Sequence, residues 1–129
     1  MDILLDTHAA WWFLNGNEKM PQDTRETIIN SENTIYVSIA SIWEVAIKMS
    51  IGKLNFDSGI DGFIEAIEDE GFSLMDITTG HIKTVKDLPF IHRDPFDRML
   101  VAQAIIEELH IMTTDSEMVK YHINAVWST

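Results

Sequence analysis

The chain contains no cysteine. Disulfides, zinc–thiolate centres and thiol catalysis are therefore excluded, and the absence fits a reducing compartment. Basic residues are scarce: nine Lys and Arg stand against 21 Asp and Glu, for a net charge of −12. That balance argues against nucleic-acid binding that rests on Lys and Arg meeting phosphates. Bound cations can reverse such a field locally, so any activity on nucleic acid would need a metal, with a partner or a local basic rim. No apolar run approaches the length needed to span a bilayer. The first eight residues carry no basic segment ahead of Ile3, Leu4 and Leu5, unlike a secretory signal. A cytoplasmic protein is expected. Internal repeats, low-complexity tracts and an interdomain linker are missing too.

What is present suits one globular unit. A chain of 129 residues with 46% apolar and 23% charged residues can build a hydrophobic core without staples. Ile3 to Leu5 reads as a buried strand ending at Asp6. His8 to Leu14 is apolar and aromatic and stops at Asn15-Gly16, a helix ending. A helix is expected from Pro21 to Asn30, a strand from Thr34 to Val37, and a helix from Ser38 to Met49. Gly59 to Glu70 carries Ile60, Phe63, Ile64 and Ile67 on one helical stripe. Phe72 to Ile77 resembles a third strand and Thr78 to Leu88 a short helix before Pro89. Asp94 to His110 gives the longest helix, and Ile111 to Thr114 a fourth strand. A short helix and a terminal strand over residues 125–127 complete the chain. Strands alternating with helices imply an α/β fold, with a parallel sheet of four to five strands covered on both faces.

In such sheets ligands bind beyond the carboxyl ends of the strands. Asp6 and Asp115 each follow a strand, so the fold would place both on one edge. Either could equally be a turn or cap residue. Glu44 sits among Ile42, Trp43, Val45, Ala46 and Ile47, a setting in which a carboxylate needs a partner or a metal. A pair with Lys48, one helical turn on, explains it equally well. In the segment from Arg93 to Arg98, Asp94 fits an N-cap, Pro95 the first helical position and Asp97 the third. Asp97 also heads the core stripe of Leu100, Val101 and Ala104, which favours Asp94 as structural and Asp97 as functional. Carboxylates gathered at one edge repel unless a cation neutralises them. An all-oxygen set suits Mg²⁺ or Mn²⁺, ions that promote phosphodiester hydrolysis.

These segments resemble a known family. The run Leu4-Leu5-Asp6-Thr7-His8 is similar to the N-terminal motif of PIN domains, and Ser41-Ile42-Trp43-Glu44 to their glutamate motif. The stretch from Lys48 to Leu54 resembles the segment just after that glutamate in VapC-like toxins. His92 to Ala104, containing Asp94-Pro95-Phe96-Asp97-Arg98, is the most specific match, and Thr113-Thr114-Asp115 resembles the last acidic motif. The resemblance covers essentially the whole chain, 1–129, as a single PIN domain. It implies a three-layer α/β/α fold and divalent-metal-dependent endoribonuclease activity. Asp6, Glu44, Asp97 and Asp115 would be its catalytic and metal-binding acids, with Mg²⁺ or Mn²⁺ as cofactor. It further implies an RNA substrate, a cognate antitoxin, a homodimer and no membrane.

The remaining polar residues leave alternatives open. Thr7 could cap the first helix or touch a metal ligand. His8 and His92 lie near the acids in sequence, but acid-cluster nucleases do not require histidine. Lys48, Arg93 and Arg98 are the best candidates for phosphate contacts, against a plainer role as solvated charge. The run Trp11-Trp12-Phe13 suggests a dimer or antitoxin surface. Competing functions are a catalytically inactive PIN-like binding module, a metal-dependent phosphatase, and a receiver domain. The phosphatase pattern needs an acid two residues beyond Asp6, where His8 stands. The receiver needs a phosphoacceptor after the third strand and a later lysine.

Overall fold

The structure, a computed structural model, describes residues 1–121 and 123–126. Strand β1 (Asp2–Leu5) is its centre. Ile3, Leu4 and Leu5 are fully buried on alternating faces, as a strand covered on both sides requires. On one flank lie β2 (Thr34–Ser38) and then β3 (Ser73–Met75); on the other lie β4 (His110–Met112) and then β5 (Asn124–Val126). The order is β3-β2-β1-β4-β5, and every pairing is parallel. Trp127, expected to close the last strand, lies outside the described residues.

Helices cover both faces, giving the expected three-layer α/β fold. Ile3, Leu5, Val37 and Met112 pack under α1 (Thr7–Leu14), α2 (Gln22–Ile29) and α4 (Gly59–Asp69), through Ala9, Ile28, Phe63 and Ile67. Leu4 and Ile111 face α6 (Pro95–Glu107), through Leu100, Val101 and Ala104. Helix α3 (Ile39–Ser50) sits between the two cores, giving Val45 to one and Ala40 to the other. Helix α5 (Thr79–Asp87) packs on α6, and a 3-10 turn spans Met118–Tyr121. Among the described residues no helix is long and apolar enough to cross a membrane.

Three boundaries and one surface differ from the expectations above. Helix α6 stops at Glu107 rather than His110, because His110 is taken into β4 opposite Ile3. The stop is made by Glu108 in the left-handed region, at φ 55°, with no glycine to announce it. Strand β3 is shorter than expected, since only Ser73 to Met75 pairs with β2. Strand β4 ends at Met112, so two threonines separate it from Asp115. The Trp11-Trp12-Phe13 run is not an open surface. Phe13 is buried, and Trp11 rests on Phe56 and Phe63 at ring separations of 5.9 and 5.6 Å. Among the described residues the large aromatics most open to solvent are instead Phe90, 76% accessible, and Trp43, 59% accessible and set edge-on to Phe96.

Candidate active site

Strand order reverses between β1 and β4, which opens a crevice at their carboxyl ends. Asp6 follows β1 there, and its N–H donates to the Met112 carbonyl at 3.1 Å. Its side chain is also the N-cap of α1: Oδ1 accepts from the Ala9 N–H at 2.7 Å. Cap and crevice residue are therefore one and the same. Thr7 does not cap; its hydroxyl donates to Ser41 Oγ at 3.0 Å and ties α1 to α3. Asp115 arrives from β4 through Thr113, whose Oγ1 accepts from the Asp115 N–H at 2.9 Å. Asp115 Oδ1 then accepts from the Glu117 N–H at 2.8 Å, which fixes the carboxylate's direction.

Helices α3 and α6 bring the other two acids. Ser38 caps α3, with its hydroxyl accepting from the Ala40 N–H, and Glu44 follows on the buried side. Asp94 caps α6 by accepting from the N–H groups of Phe96 and Asp97 at 2.8 and 3.0 Å, with Pro95 at the first position. That is the structural part expected of Asp94. Asp97, in the first turn, turns inward. Asp6, Thr7, His8, Glu44, Lys48, Asp94, Asp97 and Asp115 together line one cavity of about 120 Å³. The structure thus brings Asp6, Glu44, Asp97 and Asp115 to a single place.

Glu44 makes the expected pair with Lys48 through one oxygen only. Oε2 pairs with Lys48 Nζ at 2.9 Å. Oε1 is buried without a hydrogen-bond partner among the described residues. An unpaired carboxylate oxygen out of water is costly, and a cation in the cavity would satisfy it. The donors around it are carboxylate oxygens, the set that suits a hard divalent ion. The acids gathered here therefore fit a hard divalent cation.

Charge in the cavity is poorly balanced. Burial, then the charges of Asp94 and Glu44, push the Asp97 carboxyl up to about 7, with Asp6 adding to the effect and His92 opposing it. Burial raises Asp6 as well, against the Ala9 N–H and the Thr113 hydroxyl. Asp115 goes the other way: burial would raise it, but the hydrogen bond from His92 and the Glu117 N–H outweigh burial and hold it low. For His92, burial alone would lower the ring, and the hydrogen bond to Asp115 with the charges of Asp97, Asp115 and Asp94 raises it instead.

His92 is the residue whose part in the site the sequence did not reveal. Its Nε2 lies 2.8 Å from Asp115 Oδ2 and 3.2 Å from Asp97 Oδ2. His92, Asp97 and Asp115 form a cluster of the size that could hold a metal ion. The available signal was its place two residues before the N-cap Asp94, whose N–H donates to His92 Nδ1 at 3.0 Å. Of the suggested phosphate contacts, Lys48 borders the cavity and Arg93 is exposed. Arg98 is buried instead, bound to the carbonyls of Val85 at the end of α5 and Pro89 in the loop before α6, and to the Tyr121 hydroxyl.

The fold has solved counterparts. VapBC2 from Rickettsia felis, bound to a DNA fragment from its promoter, matches at 14% identity and TM-score 0.75, covering 98% of each chain. DNA-bound VapBC from Salmonella typhimurium matches at 17% identity and TM-score 0.73, covering 98% of this chain and 97% of that one. The FitAcB structure from Neisseria gonorrhoeae matches at 16% identity and TM-score 0.64, covering 95% of each. At these identities the likeness is one of fold. No curated protein sequence matches the chain. The sequence pattern of the family described as PIN domain matches residues 3–123, and that span holds all of the cavity's acids. The chain belongs to the PIN-domain family, whose members are generally nucleases.

Proposed function

We propose that the chain, as one PIN domain over residues 1–129, is a divalent-metal-dependent endoribonuclease and the toxin of a VapC-type toxin–antitoxin pair. One observation carries the reading. Glu44 presents a buried, unpartnered carboxylate oxygen in the cavity where Asp6, Asp97 and Asp115 converge at the sheet's switch point. Most buried polar atoms are paired, and of the two buried side-chain oxygens left open among the described residues, Glu44 Oε1 and Gln103 Oε1, only the first belongs to a residue lining this cavity.

Asp6, Glu44, Asp97 and Asp115 would hold Mg²⁺ or Mn²⁺, which supplies charge for the phosphodiester's transition state and lowers the pKa of an attacking water. The chain's own residues set the geometry. Asp6 is fixed by the α1 backbone and Asp115 by the Glu117 N–H, so both keep their directions when empty of ligand. Lys48 holds Glu44 from the rim and leaves its second oxygen inward. Asp97, the most repelled acid, gains most from a cation and so couples ion binding to ionisation of the site.

RNA as substrate rests on the resemblance, and so does the antitoxin; the similar folds from Rickettsia and Salmonella are complexes of the VapBC kind. Self-association as a homodimer is supported by the open face formed by Trp43 and Ile47 of α3 and Ile51 just after it. The net charge of −12 favours a second reading, an inactive binding module that uses no RNA chemistry. The test is cleavage of single-stranded RNA by the purified protein in Mg²⁺ or Mn²⁺ and in EDTA. Cleavage in metal, abolished by EDTA and by Asp97→Asn, is expected. RNA left intact under all conditions, with the protein folded, would overturn the enzyme reading.

A further inference from the structure

We propose that His92 is a positioning residue, donating a hydrogen bond from Nε2 to Asp115 beside the Asp97 carboxylate, and is not itself a nitrogen ligand of the cation. The inference rests on the acids being the metal site, and it specifies how one ring in that site acts. Its distances alone would suit a ligand: Nε2 is 2.8 and 3.2 Å from the two carboxylates, within a cluster that could hold an ion. The other nitrogen decides. Nδ1 faces the Asp94 backbone N–H at 3.0 Å, and a backbone N–H can only donate. Nδ1 therefore keeps its lone pair, and a neutral ring carries its hydrogen on Nε2. A charged ring carries hydrogen on both nitrogens, at the cost of the Asp94 contact, and likewise leaves no lone pair on Nε2. Only the Nδ1–H tautomer would free Nε2 for a metal, and it sets one N–H against another.

The ring cannot readily turn to escape this arrangement. Its own backbone N–H donates to Tyr121 Oη at 2.7 Å, and the preceding Ile91 N–H donates to the same oxygen at 3.1 Å. Arg98 Nη1 donates to that oxygen at 3.1 Å and to the Pro89 carbonyl at 3.0 Å, which pins the loop to α6. Asp94, which fixes Nδ1, is in turn fixed as the α6 cap. His92 thus holds Asp115 Oδ2 from one side while Glu117 holds Oδ1 from the other, and the remaining lone pairs are left for the ion. The consequence is an all-oxygen coordination shell, which selects Mg²⁺ or Mn²⁺ over Zn²⁺. Residues that orient metal ligands in this way alter affinity by about 10- to 100-fold when removed.

The tautomer is read on the metal-free wild-type protein by two-bond ¹H–¹⁵N correlation of the His92 ring. A hydrogen on Nε2 is expected; a hydrogen on Nδ1 alone overturns the proposal whatever the metal does. Mn²⁺ alone is then titrated calorimetrically into wild type, His92→Gln, His92→Asn and His92→Ala. The glutamine amide can replace the Nε2 donor, whereas asparagine can satisfy only the Asp94 side. His92→Gln should stay within about threefold of wild type, and His92→Asn and His92→Ala should weaken Mn²⁺ by about tenfold. Equal affinity in all four proteins, or a directly bonded ¹⁴N in pulsed EPR of the Mn²⁺-loaded wild type, overturns the role given to His92. If wild type with the Nε2–H tautomer binds no Mn²⁺, the metal reading of the acids fails first and takes this inference with it.

Discussion

Asp97 and Arg98 are neighbours at the start of α6, opposite in charge and both largely withdrawn from water. The protein treats them in opposite ways. Arg98 is closed in by acceptors: the carbonyls of Val85 at 2.9 Å and Pro89 at 3.0 Å, and the Tyr121 hydroxyl at 3.1 Å. Its guanidinium also lies 4.7 Å from the centre of the Phe90 ring. Asp97 has one favourable neighbour, His92, against the charges of Asp94, Glu44 and Asp6. A buried charge closed in by acceptors belongs to the scaffold. One whose neighbours repel it marks a place that a ligand completes.

The sharpest way to break this contrast is Asp97→Asn. Cleavage in Mg²⁺ should fall at least about a thousandfold, or about 4 kcal/mol of barrier, because an amide is a weaker, uncharged ligand. In EDTA at pH 8 the same variant should melt higher than wild type, since two like charges 4 Å apart repel by about 4 kcal/mol at an effective dielectric near 20, before screening. Asp97 is a cleaner target than Asp6, whose carboxylate also caps α1. A variant that melts lower in EDTA and still cleaves RNA would make Asp97 structural, like its neighbour.

Arg98→Met should do the reverse. It removes charge-assisted hydrogen bonds to the Val85, Leu88 and Pro89 carbonyls, of which Val85 and Pro89 keep one backbone N–H each, at a cost of about 3 kcal/mol in urea unfolding. Arg98→Lys should recover little, because a single ammonium cannot match the fork that reaches these carbonyls. A loss below about 0.5 kcal/mol for Arg98→Met would show that the loop finds other partners.

Where the sequence was legible, the signals were local. Ser38, Thr78 and Asp94 followed by Pro95 start helices by chemistry contained in a few residues, and all three cap as such residues do. The acids gather because strand ends and helix starts meet at one edge, which topology alone dictates. What stayed hidden depended on distant partners. Glu107-Glu108-Leu109 reads as continuing helix, yet pairing of β4 with β1 ends it. Trp11 needed Phe56, a loop residue with no periodicity to betray it. Arg98 needed carbonyls from α5 and the loop after it and a hydroxyl from residue 121, and His92 needed acids on two separate elements.

The contrast also has a pH signature. Asp97 has a folded pKa of about 7 against 3.8 for the free side chain, so the folded state binds the extra proton between those values. The metal-free protein should then lose stability as pH rises through that window, not gain it. Asp6, also raised, and His92, raised from 6.5, push the same way. Asp115, held low, acts only in more acidic solution, where its contribution is lost as pH falls through its folded value. Unfolding in EDTA should therefore cost about 2 kcal/mol less at pH 8 than at pH 5.5, and saturating Mg²⁺ should erase the difference. A metal-free protein that is more stable at pH 8 would remove the electrostatic basis for the site.

Tyr121→Phe probes the join between the two regions, and its effect should be the smallest. The Tyr121 hydroxyl accepts from Arg98 on the scaffold side and from the His92 N–H on the site side. Deleting one oxygen leaves the ring's packing among Leu100, Met118 and neighbouring core residues unchanged. The His92 N–H loses its acceptor in a partly buried loop, while the Ile91 N–H keeps the Pro89 carbonyl at 2.9 Å. The expected cost is about 1 to 2 kcal/mol, since water can reach part of this loop but not all of it. That is less than for Arg98→Met, because the guanidinium keeps its carbonyl partners. The informative part is where the loss appears. If the hydroxyl serves only the scaffold, unfolding weakens and Mn²⁺ affinity does not change. If it also steadies His92, Mn²⁺ affinity falls by about threefold as the Asp115 carboxylate loses part of its orientation. Calorimetric Mn²⁺ titration beside urea unfolding of the same preparation separates the two, and an unchanged affinity would confine Tyr121 to the scaffold.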